Sequence, residues 1–272
     1  MATPLNDSRT DELSSDADHR RSVLGRAAAL LNAFTATEPV LSLGQLTERT
    51  ELPRSTAHRL AESLVTIGWL ERDLAGYRVG MRLFEVGALV INVNRIRDSA
   101  AVWMQEAHEL SRHAVHLAVL DGFDVVYLNK VCSRELDIPS RIGGRMPAHC
   151  TALGKAILAF ASDSDIDLLV RHGLRARTAH TVVAPAAFRA SLAETTVAGV
   201  AFEVEEAVRG VSCVAAPIRG SGRAIASISV TGPSYAFDTD RNARIVKRAA
   251  EGIWCSLFRG TPSRSRTDDD RR

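Results

Sequence analysis

The apolar residues of this 272-residue chain change their spacing once, and that change narrows the folds open to it. From Ser22 to about Phe84 the recurrence is helical. Val23, Leu24, Ala27, Leu30, Leu31 and Phe34 form one stripe, and Ala57, Leu60, Ala61, Leu64 and Val65 form another. Past about Ala114 the pattern alternates instead. "AVHLAVLDGFDVVYLNKV" is two strand-like runs joined by Asp121–Gly122, a hairpin signal, and "VAFEVE", "VSCVAAPI" and "AIASISVTG" add further strands. Helical stretches near 152–161, 163–172 and 186–198 intervene, and "DTDRNARIVKRAAEGIWCSLF" reads as a closing helix. Mainly antiparallel strands with helices packed around them predict an α+β fold.

The predicted organisation is a helical domain with one hairpin over 20–82, a linker helix over 83–110 and an α+β domain over 111–259. Polar, charged stretches at 1–19 and 260–272 read as disordered tails. With 46% hydrophobic and 24% charged residues, the chain has apolar content for two real cores. No run approaches the ~18 apolar residues of a membrane span, and the start lacks the apolar segment of a secretory signal. Cys132, Cys150, Cys213 and Cys255 stand far apart without a CxxC pair, as expected for reduced thiols of a cytoplasmic protein. A net charge of +2 neither demands nor excludes a nucleic-acid partner, so local charge must decide.

Local charge is informative between Ser42 and Gly80. Ser42 with Gln45 three residues on is a capping box that opens one helix, "TEL" makes a tight turn, and Pro53 suits the start of the next. The second helix carries Arg54, Ser55, Thr56, His58 and Arg59, with no acid from Pro53 to Ala61. An ordinary solvated face mixes signs. Two helices at this spacing are a helix-turn-helix, whose second helix presents its N-terminal residues to base edges in the major groove. The hairpin after it, either side of Asp73–Gly76, offers Arg72, Tyr77 and Arg78 as a wing that grips the backbone. From Arg20 to Arg82 arginines outnumber acids by only nine to six, so placement rather than excess carries the argument. One such helix reads too few base pairs for a specific site, so double-stranded DNA with a palindromic operator and a homodimer or homotetramer are expected. Met81, Phe84, Val86, Ala88, Leu89, Ile91 and Val93 make the linker apolar enough to be the dimer contact.

In the second half, "RIGGRMPAHCTALGKAILAF" leads through Gly143–Gly144 and Pro147 to a helix start near Thr151. The backbone N–H groups at Thr151, Ala152 and Leu153 would suit a carboxylate, and Gly154 would admit a neighbouring segment closely. His149–Cys150 has three readings: metal ligands, a nucleophile with its base, or packing and capping residues, the last being the usual role of such a pair. Ser227, Ser229 and Thr231 share one strand face. They are either solvated or the floor of a small polar cavity, near Cys213 and Glu203 in chain order.

Taken together, "LPRSTAHRLAESLVTIGWLERD", "PAHCTALGKAILAF" and "GVSCVAAPI" with "ASISVTGP" resemble the IclR family of bacterial transcription regulators, over about Arg20 to Arg259. The resemblance implies a winged helix-turn-helix, a linker helix and a C-terminal effector-binding domain related to GAF domains, with mainly antiparallel sheet. It implies dimers or tetramers and a small organic acid, carboxylate or aromatic, as effector, with no cofactor. The family's ligand contacts fall at Met146, Ala152, Leu153, Glu203, Cys213, Ser229 and Thr231. Some relatives have smaller residues where Ala152, Leu153 and Glu203 stand (Gly, Ala and Asp), which reshapes the cavity here. A regulator with repressor or activator action is the function implied. The competing class is a cysteine-dependent enzyme acting on a small acid, targeted to DNA by its first half.

Overall fold

The computed structural model describes residues 22–35, 37–133 and 140–258; the expected tails at 1–19 and 260–272, Arg20 and Arg21, and the side chain of Ile91 lie outside the described residues. The chain divides into two compact units, the first ending at Ile91 and the second beginning at Asn92.

The first unit is built by its caps. Helix α1 (Val23–Asn32) starts where the Ser22 hydroxyl accepts the Gly25 N–H, and α2 (Leu43–Thr50) starts at the expected Ser42–Gln45 capping box. Glu51 closes α2 in a left-handed conformation, φ 55°, which turns the chain into α3 (Arg54–Thr66) with Pro53 as its N-cap. Strands β2 (Leu70–Asp73) and β3 (Gly76–Val79) form the expected hairpin. A short strand the sequence pattern did not signal, β1 (Val40–Leu41), adds to its free edge in the order β1-β3-β2. Gly76 makes this possible, since a Cβ there would lie 2.2 Å from the Leu41 carbonyl oxygen. Leu30, Phe34, Leu41, Leu46, Ala57, Leu60, Leu64, Leu70 and Tyr77 form the core. The α1 stripe is only partly used: Val23 and Leu24 are 59% and 82% exposed, because they sit on the first turn, ahead of the part of α1 that α2 and α3 cover.

The expected single linker is two helices, α4 (Met81–Gly87) and α5 (Ile91–Ser111). From Ile96 onward α5 is core, since Ile96, Ala100, Met104 and Ala107 are buried in the second unit. That spacing of three and four residues is the reason: it makes one apolar stripe that a sheet face can cover.

The second unit is a six-stranded sheet between two helical layers. Its strands are β4 (Ala114–Asp121), β5 (Asp124–Val131), β6 (Arg145–Pro147), β7 (Ala201–Val204), β8 (Val211–Ile218) and β9 (Ala226–Pro233), all paired antiparallel in the order β6-β5-β4-β9-β8-β7. On one face Val115, Leu117, Val214, Ile228 and Val230 pack against α5 and α9 (Thr239–Phe258). On the other lie α6 (Ala152–Leu158), α7 (Asp163–His172) and α8 (Pro185–Ala198), around Phe188, Leu153, Leu169 and Leu192. The period of two then puts His116, Cys213, Ser227, Ser229, Thr231 and Glu203 on this second face, all buried. A core-facing sheet surface with that many polar groups cannot pack as oil; its hydrogen bonds must close on one another or on a ligand.

Helix α6 folds tightly against the Ala148–Cys150 turn that precedes it because residue 154 is glycine. A Cβ there would stand 2.1 Å from the Ala148 carbonyl oxygen and 2.4 Å from its Cα. Glycine-to-alanine in a helix gains ~1 kcal/mol in propensity, but overpacking against rigid backbone costs ~1–3 kcal/mol. Gly154→Ala should therefore lower unfolding stability in urea. A neutral or stabilising result would show that α6 can move away without cost.

Candidate functional site

On α3 the buried residues Ala57, Leu60, Ala61 and Leu64 fix the inner face, which leaves Arg54, Ser55, His58 and Arg59 exposed and Thr56 half-buried. The neighbouring arginines are neutralised: Arg49 by Glu38, Arg72 by Glu62, Arg78 by Glu71 and Asp73, and Arg82 by Glu85. Arg54 and Arg59 have no acidic partner among the described residues. Arg54 and Arg59 are thus, among the described residues, unpaired arginines on the exposed face of α3. The wing differs from expectation at Tyr77, which is 4% exposed, with its ring in the core and its hydroxyl donated to Glu62 Oε1 at 2.8 Å. Period two decided this: Tyr77 pairs across from Leu41, on the inward face of β3. That hydroxyl, and then Arg72, hold the Glu62 carboxyl below its ordinary range. Arg72 and Arg78 remain exposed, in weak surface pairs.

In the second unit, seven of the eight expected effector residues, Met146, Thr151, Ala152, Leu153, Glu203, Cys213 and Thr231, line one cavity of about 40 Å³. Ser229 is buried on the same sheet face but does not line it. His116, Tyr127, Ser140, Ala207, Val208 and Val211 complete the lining and were not anticipated. A histidine and a tyrosine set into the apolar runs "AVHLAVL" and "DVVYLNKV" were the available signal, because strand alternation turns both toward α6.

The floor is internally bonded. Thr231 Oγ1 lies 3.1 Å from Cys213 Sγ and 3.3 Å from His116 Nδ1, while His116 Nε2 lies 2.8 Å from Ser140 Oγ. Burial pulls the His116 imidazole down to about 3, so it is neutral. Burial also pushes the Cys213 and Cys150 thiols up to about 12. His149 donates to the Arg175 carbonyl at 2.9 Å, and Cys150 to the Pro147 carbonyl at 3.5 Å; neither lines the cavity. Thr151 caps α6 by accepting the Gly154 N–H.

Glu203 stands at the other side. Its Oε1 accepts the N–H groups of Glu206 and Ala207, the latter at 3.0 Å. Behind it Glu206 is ion-paired with buried Lys155 and accepts the Val182 N–H at 3.2 Å. Burial raises the Glu203 carboxyl to about 7, against the pull of those two N–H groups. Outside, an open depression of about 670 Å³ is lined by Arg177, Arg209 and their neighbours, and shares Ala207 and Val208 with the cavity. Arg177 Nε reaches the Ala207 carbonyl at 3.5 Å.

Two family models match. The model described as the IclR helix-turn-helix domain covers residues 23–74, and that described as the bacterial transcriptional regulator IclR C-terminal domain covers residues 88–253. A crystal structure of an IclR homolog from Microbacterium hydrocarbonoxydans, complexed with 4-hydroxybenzoate, is similar at a TM-score of 0.78 and 30% identity, over 87% of this chain and 99% of that one. The IclR protein of Thermotoga maritima aligns at 0.71 and 27%, over 86% and 98%. Among curated proteins the Pca regulon regulatory protein of Pseudomonas putida is 28% identical over 68% of this chain and 65% of its own length. The chain spans somewhat less than two thirds of the curated relatives that head the comparison, 59% for the Escherichia coli regulator XynR. The chain belongs to the IclR family, with its helix-turn-helix and its C-terminal effector-binding domain both present.

The raised Glu203 carboxyl has a consequence in solution. Its ordinary value is 4.5 and its folded value about 7, so between them the folded protein holds a proton that the unfolded chain has lost. The stability this supplies is complete below about 4.5 and is lost as pH rises through about 7. Glu203→Gln keeps an acceptor for the Ala207 amide and removes the ionisation. Its melting temperature, relative to wild type, should be higher at pH 8 than at pH 5. An equal difference at both would refute the assignment.

Proposed function

We propose that the protein is an effector-responsive, sequence-specific regulator of transcription, acting in the cytoplasm on a catabolic or metabolic operon. The observation that carries the DNA reading is the contrast among arginines: those around α3 are neutralised by carboxylates, while Arg54 and Arg59 on its exposed face are not. Arg54, Ser55, Thr56, His58 and Arg59 enter the major groove, and Arg72 and Arg78 exchange their surface carboxylates for phosphates. Two copies bind a palindromic operator as a homodimer or homotetramer, joined through the exposed Met81, Phe84 and Leu89.

The effector is a small organic acid held in the cavity under α6. A relative complexed with 4-hydroxybenzoate supports that class. At about 40 Å³ the cavity holds water but not a ring. Effector entry must part the Glu206–Arg209 turn from the Ala176–Thr178 segment, and Arg177 and Arg209 draw an anion to that seam. Binding then favours one arrangement of the subunits, which changes operator affinity by the effector's differential affinity for the two arrangements. The protein is not an enzyme on this reading: its buried thiols are held protonated and so are poor nucleophiles.

Arg54→Ala and Arg59→Ala should each weaken operator binding, measured by fluorescence anisotropy. A base contact costs ~1–3 kcal/mol and relaxes specificity; a phosphate contact weakens all sequences and flattens the salt slope. Unchanged binding in both removes α3 as the reading helix. Sedimentation at micromolar concentration with operator present should give a dimer or tetramer, and a monomer would sink the palindrome model.

A further inference from the structure

One irregular segment fastens two walls of the effector cavity together. The first wall is the start of α6, with the Ala148–Cys150 turn behind it. The second is the turn between β7 and β8, whose Ala207 and Val208 line both the cavity and the open depression outside it. Residues 173–184 form neither helix nor strand and bond to both sides. On the first side the Arg175 carbonyl accepts from His149 Nε2 at 2.9 Å. On the second, Thr178 Oγ1 donates to the Glu205 carbonyl at 2.6 Å, Thr181 Oγ1 to the Glu206 carbonyl at 2.7 Å and Arg177 Nε to the Ala207 carbonyl at 3.5 Å. Thr181 Oγ1 also accepts the N–H groups of Arg177 and Thr178, each at 3.0 Å, so one hydroxyl both folds the segment and fastens it. Beneath these bonds the second wall is anchored at two ends. Glu206 is paired with buried Lys155, and the Gly210 carbonyl accepts the Ser234 N–H at 2.9 Å. Between those ends the backbone is held by the Ala207 N–H on Glu203 at 3.0 Å and by the Val211 N–H on the Val208 carbonyl at 3.3 Å.

We propose that residues 175–181 are a latch that keeps the effector cavity shut, and that breaking the Thr178 and Thr181 bonds frees Ala207–Arg209 to swing out between their anchors, Glu206 and Gly210. This rests on the effector reading above and deepens it by naming the moving part and the bonds that hold it. A hydroxyl–carbonyl bond near the surface exchanges for one with water, so its net contribution is small and its release needs no wider unfolding. The Val182 N–H, on Glu206 Oε2 at 3.2 Å, keeps the released segment tethered. The rest of the enclosure is costlier to move. Strands β4, β9 and β8 of the floor are each paired on both edges, and Ser227 Oγ ties α6 to them through the Leu153 carbonyl at 3.0 Å.

Cys213 is a built-in reporter of the opening. It lines the cavity, and burial pushes its thiol up to about 12, so it reacts slowly while covered. The test is alkylation of the full chain by iodoacetamide, with the rate at Cys213 read by peptide mass spectrometry apart from those at Cys132, Cys150 and Cys255. Thr178→Val and Thr181→Val should each raise the Cys213 rate about fivefold, the net effect of losing one hydrogen bond. Thr196 is the control, since its hydroxyl donates to the Ala159 carbonyl at 3.0 Å elsewhere in the same unit. Thr196→Val should leave the rate as it is in wild type. The wild-type rate should also stay level up to about 1 M urea, because release of the latch exposes little surface. Unchanged rates in both latch variants overturn the proposal, as does equal acceleration in Thr196→Val or a wild-type rate that climbs with urea as global unfolding does. Should Thr181→Val fail to fold, Thr178→Val decides. No effector is added in the experiment, so its failure strikes the latch and leaves the effector reading in place.

Discussion

The buried Lys155–Glu206 ion pair is the contact on which the second unit's architecture depends. Lys155 comes from the middle of α6 and Glu206 from the turn between β7 and β8, so the pair joins helix to sheet where the cavity lies. Glu206 also accepts the Val182 N–H, and its carbonyl accepts Thr181 Oγ1 at 2.7 Å, so the segment before α8 is fastened to the same residue. The turn that makes these bonds supplies the two N–H groups that orient Glu203. Removing one partner of such a pair leaves a lone buried charge, at a cost of ~3–5 kcal/mol. Its worth is less in net stability than in fixing where α6, the turn and the Thr178–Val182 segment meet.

That fixed junction explains why a polar sheet face can exist under a helix. The cavity under α6 measures about 40 Å³, and the floor groups bond to each other within it. Glu203 is the exception, held by backbone donors on one oxygen and desolvated enough to sit near neutrality in its proton affinity. The first unit solves the opposite problem. Carboxylates pair with Arg49, Arg72, Arg78 and Arg82, while Arg54 and Arg59 stand exposed on α3 without an acidic partner among the described residues. Charge placement matters more here than the chain's total of +2.

Much of this was legible in the sequence because it is local. The Ser42–Gln45 box, Pro53, the Asp73–Gly76 turn and the Asp121–Gly122 turn act within a few residues of themselves, and each marks its element's boundary to within a residue or two. The period-two reading of Ser227, Ser229 and Thr231 likewise holds, all three being buried on one face. What sequence left out depends on partners far along the chain. Strand β1 exists only because Gly76 lets Leu41 approach, and Tyr77 turned inward because Leu41 is its neighbour and Glu62 its acceptor. The apolar residues read in the linker stop at Val93, so neither the stripe from Ile96 to Ala107 nor its cover by the second unit's sheet was anticipated.

By itself, then, the sequence determined most element types and the buried face of α3, because caps, turns and periodicity are set by near neighbours. Tertiary structure alone decided which polar groups meet. It placed His116 and Ser140 opposite Thr231, put Lys155 against Glu206, and left Glu203 facing the cavity. Those contacts join residues up to 115 positions apart. Strand order and helix approach bring them together, and neither is written in any short stretch of the chain.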